Sequence, residues 1–200
     1  MQHPSPTVPA PADRFASHGF QVRDDLGQHF LRHPEAAAQL LERGSLPAES
    51  QVLEVGAGLG TLSRAIVTAG HRIWAVEKDH RLLAQLTEQL HGFEERAVVT
   101  IGDVRQLDLT AGLSEGSSLV SIMPFDPELS VALIRHVFSS PKVVRGLVVL
   151  PSAGATRLSV EDSGTLCVEE VDGIGRGDFW PPAPMVLRVV RIVRAEPCRS

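Results

Sequence analysis

Cysteine, lysine and unbroken apolar stretches are all scarce in this 200-residue chain, and each scarcity removes a class of explanation. Its two cysteines, Cys167 and Cys198, lie far apart in sequence and form neither a metal-ligand pattern nor a disulfide framework. No metal is expected, and a reducing, cytoplasmic setting fits. No run approaches the ~18–20 uninterrupted apolar residues of a membrane span, and the N-terminus lacks a basic segment followed by an apolar one. Neither a membrane partner nor a secretory leader is expected. Lysine occurs only at Lys78 and Lys142, so positive charge is carried almost wholly by arginine, which suits planar bidentate contacts more than diffuse attraction. The formal charge of −5 excludes the globally basic face typical of nucleic-acid binders and leaves only a local arginine patch as a route to RNA.

A hydrophobic content of 43% over this length is enough for one buried core. Residues 1–12, MQHPSPTVPAPA, hold four prolines and almost no large apolar side chain, so they are expected to be a disordered tail. Residues 13–200 then form a single domain. Within it PEAAAQLLER (34–43) has helix-forming composition with proline suited to the first turn, and Gly44 ends it.

From there strands and helices alternate. VLEV (52–55), RIWAVEKD (72–79), AVVTI (97–101), SLVSIMPF (118–125) and GLVVLPS (146–152) read as strands, with TLSRAIVTAG (61–70), RLLAQLTEQL (81–90) and VALIRHVFSS (131–140) as helices. LCVEEVD (166–172) and PMVLRVVRIVR (184–194) read as two further strands close enough to pair antiparallel. Such alternation predicts an α/β fold: a mostly parallel seven-stranded sheet with an antiparallel hairpin at one edge and helices on both faces.

Gly56, Gly58 and Gly60 lie between a strand and a helix, where missing side chains let backbone approach a ligand and leave helix N–H groups pointing at it. Glu77 follows about 20 residues later at the end of the next strand, where a carboxylate can accept from ribose hydroxyls. Asp103 stands at the matching place after the third strand. Together they describe a pocket for a ligand with a ribose and an adenine. At the end of the fourth strand, Pro124, Phe125 and Asp126 place a ring and a carboxylate where α/β sheets bind ligands.

In order and spacing, GQHFL (27–31), VLEVGAGLGTLSRAI (52–66), AVEKD (75–79), GDV (102–104), RLSV (157–160) and FWPP (179–182) resemble the motifs of the ribosomal RNA adenine N6-dimethyltransferases. The resemblance implies a Rossmann-like class I methyltransferase fold and S-adenosylmethionine as cofactor. It implies that Gln28 and the Gly56–Gly58 loop hold the methionine part, Glu77 the ribose and Asp103 the adenine, with His29, Leu31, Lys78, Val104 and Ser121 around them. It also implies that Pro124 and Phe125 line the acceptor pocket.

Three departures shape the functional expectation. The family's fourth strand ends in Asn-Leu-Pro-Tyr/Phe, whose Asn side chain, with a nearby backbone carbonyl, accepts from the adenine amine, and Ile122 occupies the Asn position here. Loss of such an acceptor costs roughly 2–4 kcal/mol of transition-state stabilisation. GQNFL becomes GQHFL, which places His29 at the cofactor mouth as a packing group or a general base. After FWPP, the family's Pro-Lys-Val-Asp-Ser becomes APMVL (183–187), and its basic helical C-terminal domain is expected to be lacking. The leading expectation is therefore methyl transfer to a small-molecule acceptor, with His29 or Asp126 as base. The alternatives are an rRNA adenine N6-methyltransferase, marked by an arginine surface of Arg157, Arg176 and Arg188; a phospholipid N-methyltransferase; and a cofactor-binding protein with other or no catalysis. A homodimer covering the face left by the lacking domain completes the expectations.

Overall fold

The strands β2 (Gln51–Val55) and β5 (Ser117–Ile122) are buried almost throughout, which demands cover on both faces and so a central place in a helix-covered sheet. The computed structural model, which describes residues 10–195 except 18 and 163, places them there. Around them stand β3 (Arg72–Glu77), β4 (Ala97–Ile101), β6 (Val143–Pro151), β7 (Leu166–Val171) and β9 (Leu187–Arg194), in the seven-stranded order β4-β3-β2-β5-β6-β9-β7. The first five in that order pair parallel, and β9 runs antiparallel to both β6 and β7.

Neighbouring residues of one strand serve opposite layers. Val52 packs with α2 (Pro34–Glu42) and α3 (Thr61–Thr68) through Leu40, Ile66 and Val67. Leu53 packs toward α5 (Pro127–Ser139) and α6 (Ser152–Glu161) through Ile134, Val137 and Leu158. Period-two alternation along the strand thus builds two cores from one sheet. The α/β sandwich and the antiparallel pair expected from the sequence are both present. The pair sits at one end of the sheet as expected, with β9 next to β6 and β7 at the edge.

Besides the N-terminal helix described below, a helix and a short ribbon escaped the sequence reading. The segment that contains RLSV is α6, whose serine, glycine and threonine content hides its helical period. The other is a two-stranded antiparallel ribbon of β1 (Phe30–Leu31) and β8 (Phe179–Trp180), too short to show a period. It pairs Phe30 with Trp180 and Leu31 with Phe179, and Arg32 N donates to Asp178 O at 2.8 Å.

The tail boundary also needs correction. Residues 1–9 lie outside the described residues, but Pro11 and Ala12 belong to α1 (Pro11–Ser17), because proline costs nothing at a helix's first position. Phe15 of that helix sits against Phe30 at 5.0 Å and Trp180 at 5.5 Å between ring centroids, and Arg14 Nη2 donates to Leu59 O at 2.9 Å. The N-terminal helix is therefore part of the ribbon's packing. Phe15→Ala should cost about 3–5 kcal/mol and red-shift emission from the Trp180 that it covers, read by fluorescence and urea unfolding. Unchanged emission and midpoint would mean that α1 is not docked.

Candidate active site

Strand order reverses at β2, with β3 on one side and β5 on the other, and the crevice outside the strands' C-terminal ends is where such sheets bind ligands. A cleft of about 770 Å³ lies there, within the range of small-molecule sites. The turn after β2 supplies its floor. Gly56 (φ +75°) and Gly58 (φ +56°) both adopt left-handed conformations, and a Cβ on Gly58 would stand 3.1 Å from the Phe30 ring. Only glycine satisfies both the turn and that approach.

Two buried carboxyl groups flank this turn. Glu77 accepts from Gly58 N and from Asp79 N, each at 2.7 Å, and burial raises its pKa. Glu54 is fully enclosed within β2, accepts from Ser63 Oγ at 2.5 Å, and burial pushes its pKa up to about 8. Glu54 is not among the site residues assigned from the sequence. The signal was an acid in an otherwise apolar strand, which is rare unless the carboxyl faces a site.

Gln28 lines the cleft, but its amide is occupied. Nε2 donates to Asp79 Oδ2 at 2.6 Å and Oε1 accepts from Arg23 N at 2.9 Å, so it ties the N-terminal segment to the turn after β3. Arg81, then Gln28, holds Asp79 down to about 2. Asp103 lies under the Arg105 guanidinium, with Lys78 Nζ at 3.1 Å, and these cations keep its pKa below the usual carboxylate range. Its oxygens are shared with cations at the place where an adenine amine was expected. Leu31 and Val104 also line the cleft, whereas Ser121 lies beneath it with its Oγ donating to Val55 O at 2.6 Å.

At the end of β5, Ile122, Pro124 and Phe125 face the cleft. Phe125 stacks on the His29 imidazole (5.0 Å between centroids, 27° between planes) and meets Phe179 edge-on at 5.8 Å. His29 Nδ1 lies 2.8 Å from Pro181 O. Asp126 is exposed at the rim and caps α5, its Oδ1 accepting from Leu129 N at 3.0 Å. Pro184 and Met185, from the altered APMVL loop, add apolar wall that sequence reasoning did not assign. The arginine surface does not assemble as a free patch. Arg157 pairs with Glu128 and Glu161, Arg188 pairs with Glu170, and Arg176 donates to Ala183 O at 2.7 Å.

The glycine turn, enclosed carboxyl groups and aromatic wall at a strand-order reversal define a Rossmann-like methyltransferase fold, and they fit a nucleoside-bearing cofactor. The profile of the ribosomal RNA adenine dimethylase family matches residues 19–166, and the chain belongs to that family. S-adenosylmethionine is the methyl donor of such enzymes. A dimethyladenosine transferase of Yarrowia lipolytica is 31% identical over 86% of this chain and 57% of its own length. A ribosomal RNA small subunit methyltransferase A of Deinococcus radiodurans is 30% identical over 88% of this chain and 63% of its own. The chain thus spans roughly three fifths of these curated relatives. The crystal structure of the 23S rRNA methyltransferase ErmE superposes with a TM-score of 0.71 at 24% identity, covering 86% of this chain and 72% of that one, a likeness of fold. Among the described residues no helix is long and apolar enough to cross a membrane.

The Glu54 carboxyl has a pH consequence with a definite sign. Its folded pKa of about 8 lies above the ordinary 4.5, so the native state holds a proton that the unfolded chain releases between those values. Stability from this group is full below the lower value and is lost as pH rises through the upper one. Glu54→Gln, which keeps an acceptor for Ser63, should raise the melting temperature by about 4 °C or more at pH 9 and by almost nothing at pH 4.5. An equal gain at both pH values would show that the carboxyl does not titrate as described.

Proposed function

We propose that this chain is an S-adenosylmethionine-dependent N-methyltransferase whose acceptor is an adenine base of ribosomal RNA. The observation that carries the reading is the Phe125 ring, set in the cleft wall beside the glycine turn at the sheet's switch point. A planar aromatic wall there suits a planar base, and stacking of this kind contributes about 1–3 kcal/mol per base. Family membership and relatives named for dimethyladenosine formation or for ribosomal RNA methylation support the same acceptor over the small molecule expected from the sequence.

The cofactor, when bound, supplies an electrophilic methyl group on a sulfonium. The chain's own residues then bind and align. Gly56 and Gly58 admit the ligand's backbone-side approach, Glu77 is placed for ribose hydroxyls, and Ile122 and Met185 keep water from the acceptor wall. Methyl transfer is an in-line displacement, so alignment of a reactive nitrogen can supply much of the rate.

A second reading keeps the small-molecule acceptor. It is favoured by the neutralised arginines and by Asp24, Asp25 and Asp126 around the mouth, which offer phosphates little attraction. Incubation with methyl-labelled S-adenosylmethionine and either naked rRNA or small-subunit particles, followed by digestion to nucleosides, separates the two. N6-methylated adenosine is expected, with kcat/KM lowered about 5- to 150-fold in Phe125→Ala. Unlabelled RNA from a protein that binds the cofactor would reject the rRNA acceptor in favour of the second reading.

A further inference from the structure

We propose that His29 Nε2 is the hydrogen-bond acceptor that orients the acceptor amine and receives its proton, the task for which position 122 holds no polar group. This deepens the adenine reading above and rests on it. A carbonyl oxygen can only accept, so the 2.8 Å contact from Nδ1 to Pro181 O places the imidazole hydrogen on Nδ1. The neutral ring then carries an open lone pair on Nε2. Among the described residues that lone pair has no hydrogen bond of its own.

The ring cannot turn freely to another arrangement. It is stacked on Phe125, the candidate base platform, and Pro181 follows directly on Trp180, whose ladder partner is Phe30, next to His29. The β1–β8 ribbon therefore sets both the position and the tautomer of the imidazole.

Other acceptors around Phe125 are turned elsewhere or lie at the rim. Ile122 is aliphatic. Pro124 O accepts from Ser130 Oγ at 2.6 Å, Ser121 Oγ is turned to Val55 O at 2.6 Å, and Asp126 caps α5 through Oδ1 from the exposed rim. His29 is the group stacked on the ring itself that can draw an N–H and direct the nitrogen's electron pair.

The step balances. As the amine's electron pair forms the new N–C bond, the C–S bond breaks and its pair stays on sulfur, leaving a neutral thioether. One amine proton passes to Nε2, and the imidazolium returns it to water.

Nitrogen-15 NMR of the wild-type protein saturated with S-adenosylhomocysteine tests the tautomer directly. Expected are a protonated Nδ1, a bare Nε2, and a shift of Nε2 when adenosine monophosphate is added to millimolar concentration. A protonated Nε2, or no shift, overturns the proposal. In kinetics, His29→Phe preserves the ring and removes both nitrogens. It should lower kcat about 100-fold or more, leave KM and calorimetric cofactor affinity close to wild type, and regain transfer when combined with Ile122→Asn. A full rate in His29→Phe, or no recovery in the double variant, also overturns it. Wild-type protein that labels no RNA while adenosine monophosphate still moves Nε2 would sink the rRNA acceptor and leave His29 standing.

Discussion

Parallel hydrogen bonding of β2 to β3 on one side and to β5 on the other forces their chain connections to leave in opposite directions, and a crevice opens between them. Register does the rest: Val55 lies opposite Val76, so the turn after β2 meets the acid that closes β3. The glycine turn, Glu77 and the Pro124–Phe125 corner are neighbours only because of this pairing. Each is far from the others in sequence.

That crevice gathers buried acid. Glu54 and Glu77 are both enclosed, burial raises the pKa of each, and the Glu77 carboxylate raises that of Glu54 further, as Asp79 does that of Glu77. Hydrogen bonds from Ser63 Oγ, Gly58 N and Asp79 N offset part of this. Groups held in this way are poised to exchange internal hydrogen bonds for those of a polar ligand, and perturbed carboxyls in a cleft are a physical signature of function. Other acids are paired with cations: Asp79 with Arg81, and, in the cleft's own lining, Asp103 with Arg105 and Lys78.

The acceptor side depends on the β1–β8 ribbon. It joins residues about 150 positions apart, brings Phe179 and Pro181 to Phe125 and His29, and rests on α1 through Phe15. Aromatic and polar groups from a remote part of the chain are thus set around Phe125. The cofactor half and the acceptor half are built from different parts of the chain, so one can diverge while the other is retained.

The cofactor half was legible in the sequence because its elements are local and periodic. VLEV, the glycine turn and the helix after it form one continuous stretch, and apolar runs of strand and helix length state their own burial. Family motifs such as GDV and GQHFL are short strings with fixed spacing. Misreadings fell where an element is too short to show a period, as in β1 and β8, where composition masks a helix, as in α6, or where proline was counted against a helix that it begins, as in α1. Side-chain partners were not legible at all. Gln28 and Asp79, His29 and Pro181, Asp103 and Arg105 are chosen by packing, because a polar group's partner is whichever donor or acceptor folding brings within about 3 Å. Sequence alone determined the layers and the seven strands of the main sheet, since hydrophobic periodicity is a property of the chain itself, and the resemblance of its motifs implied the cofactor. Only the tertiary structure decided that Glu54 is buried and protonated near neutrality, that Asp126 is a helix cap, and that His29 stacks on Phe125 with its Nδ1 against Pro181 O, since desolvation and hydrogen-bond geometry exist only once distant segments touch.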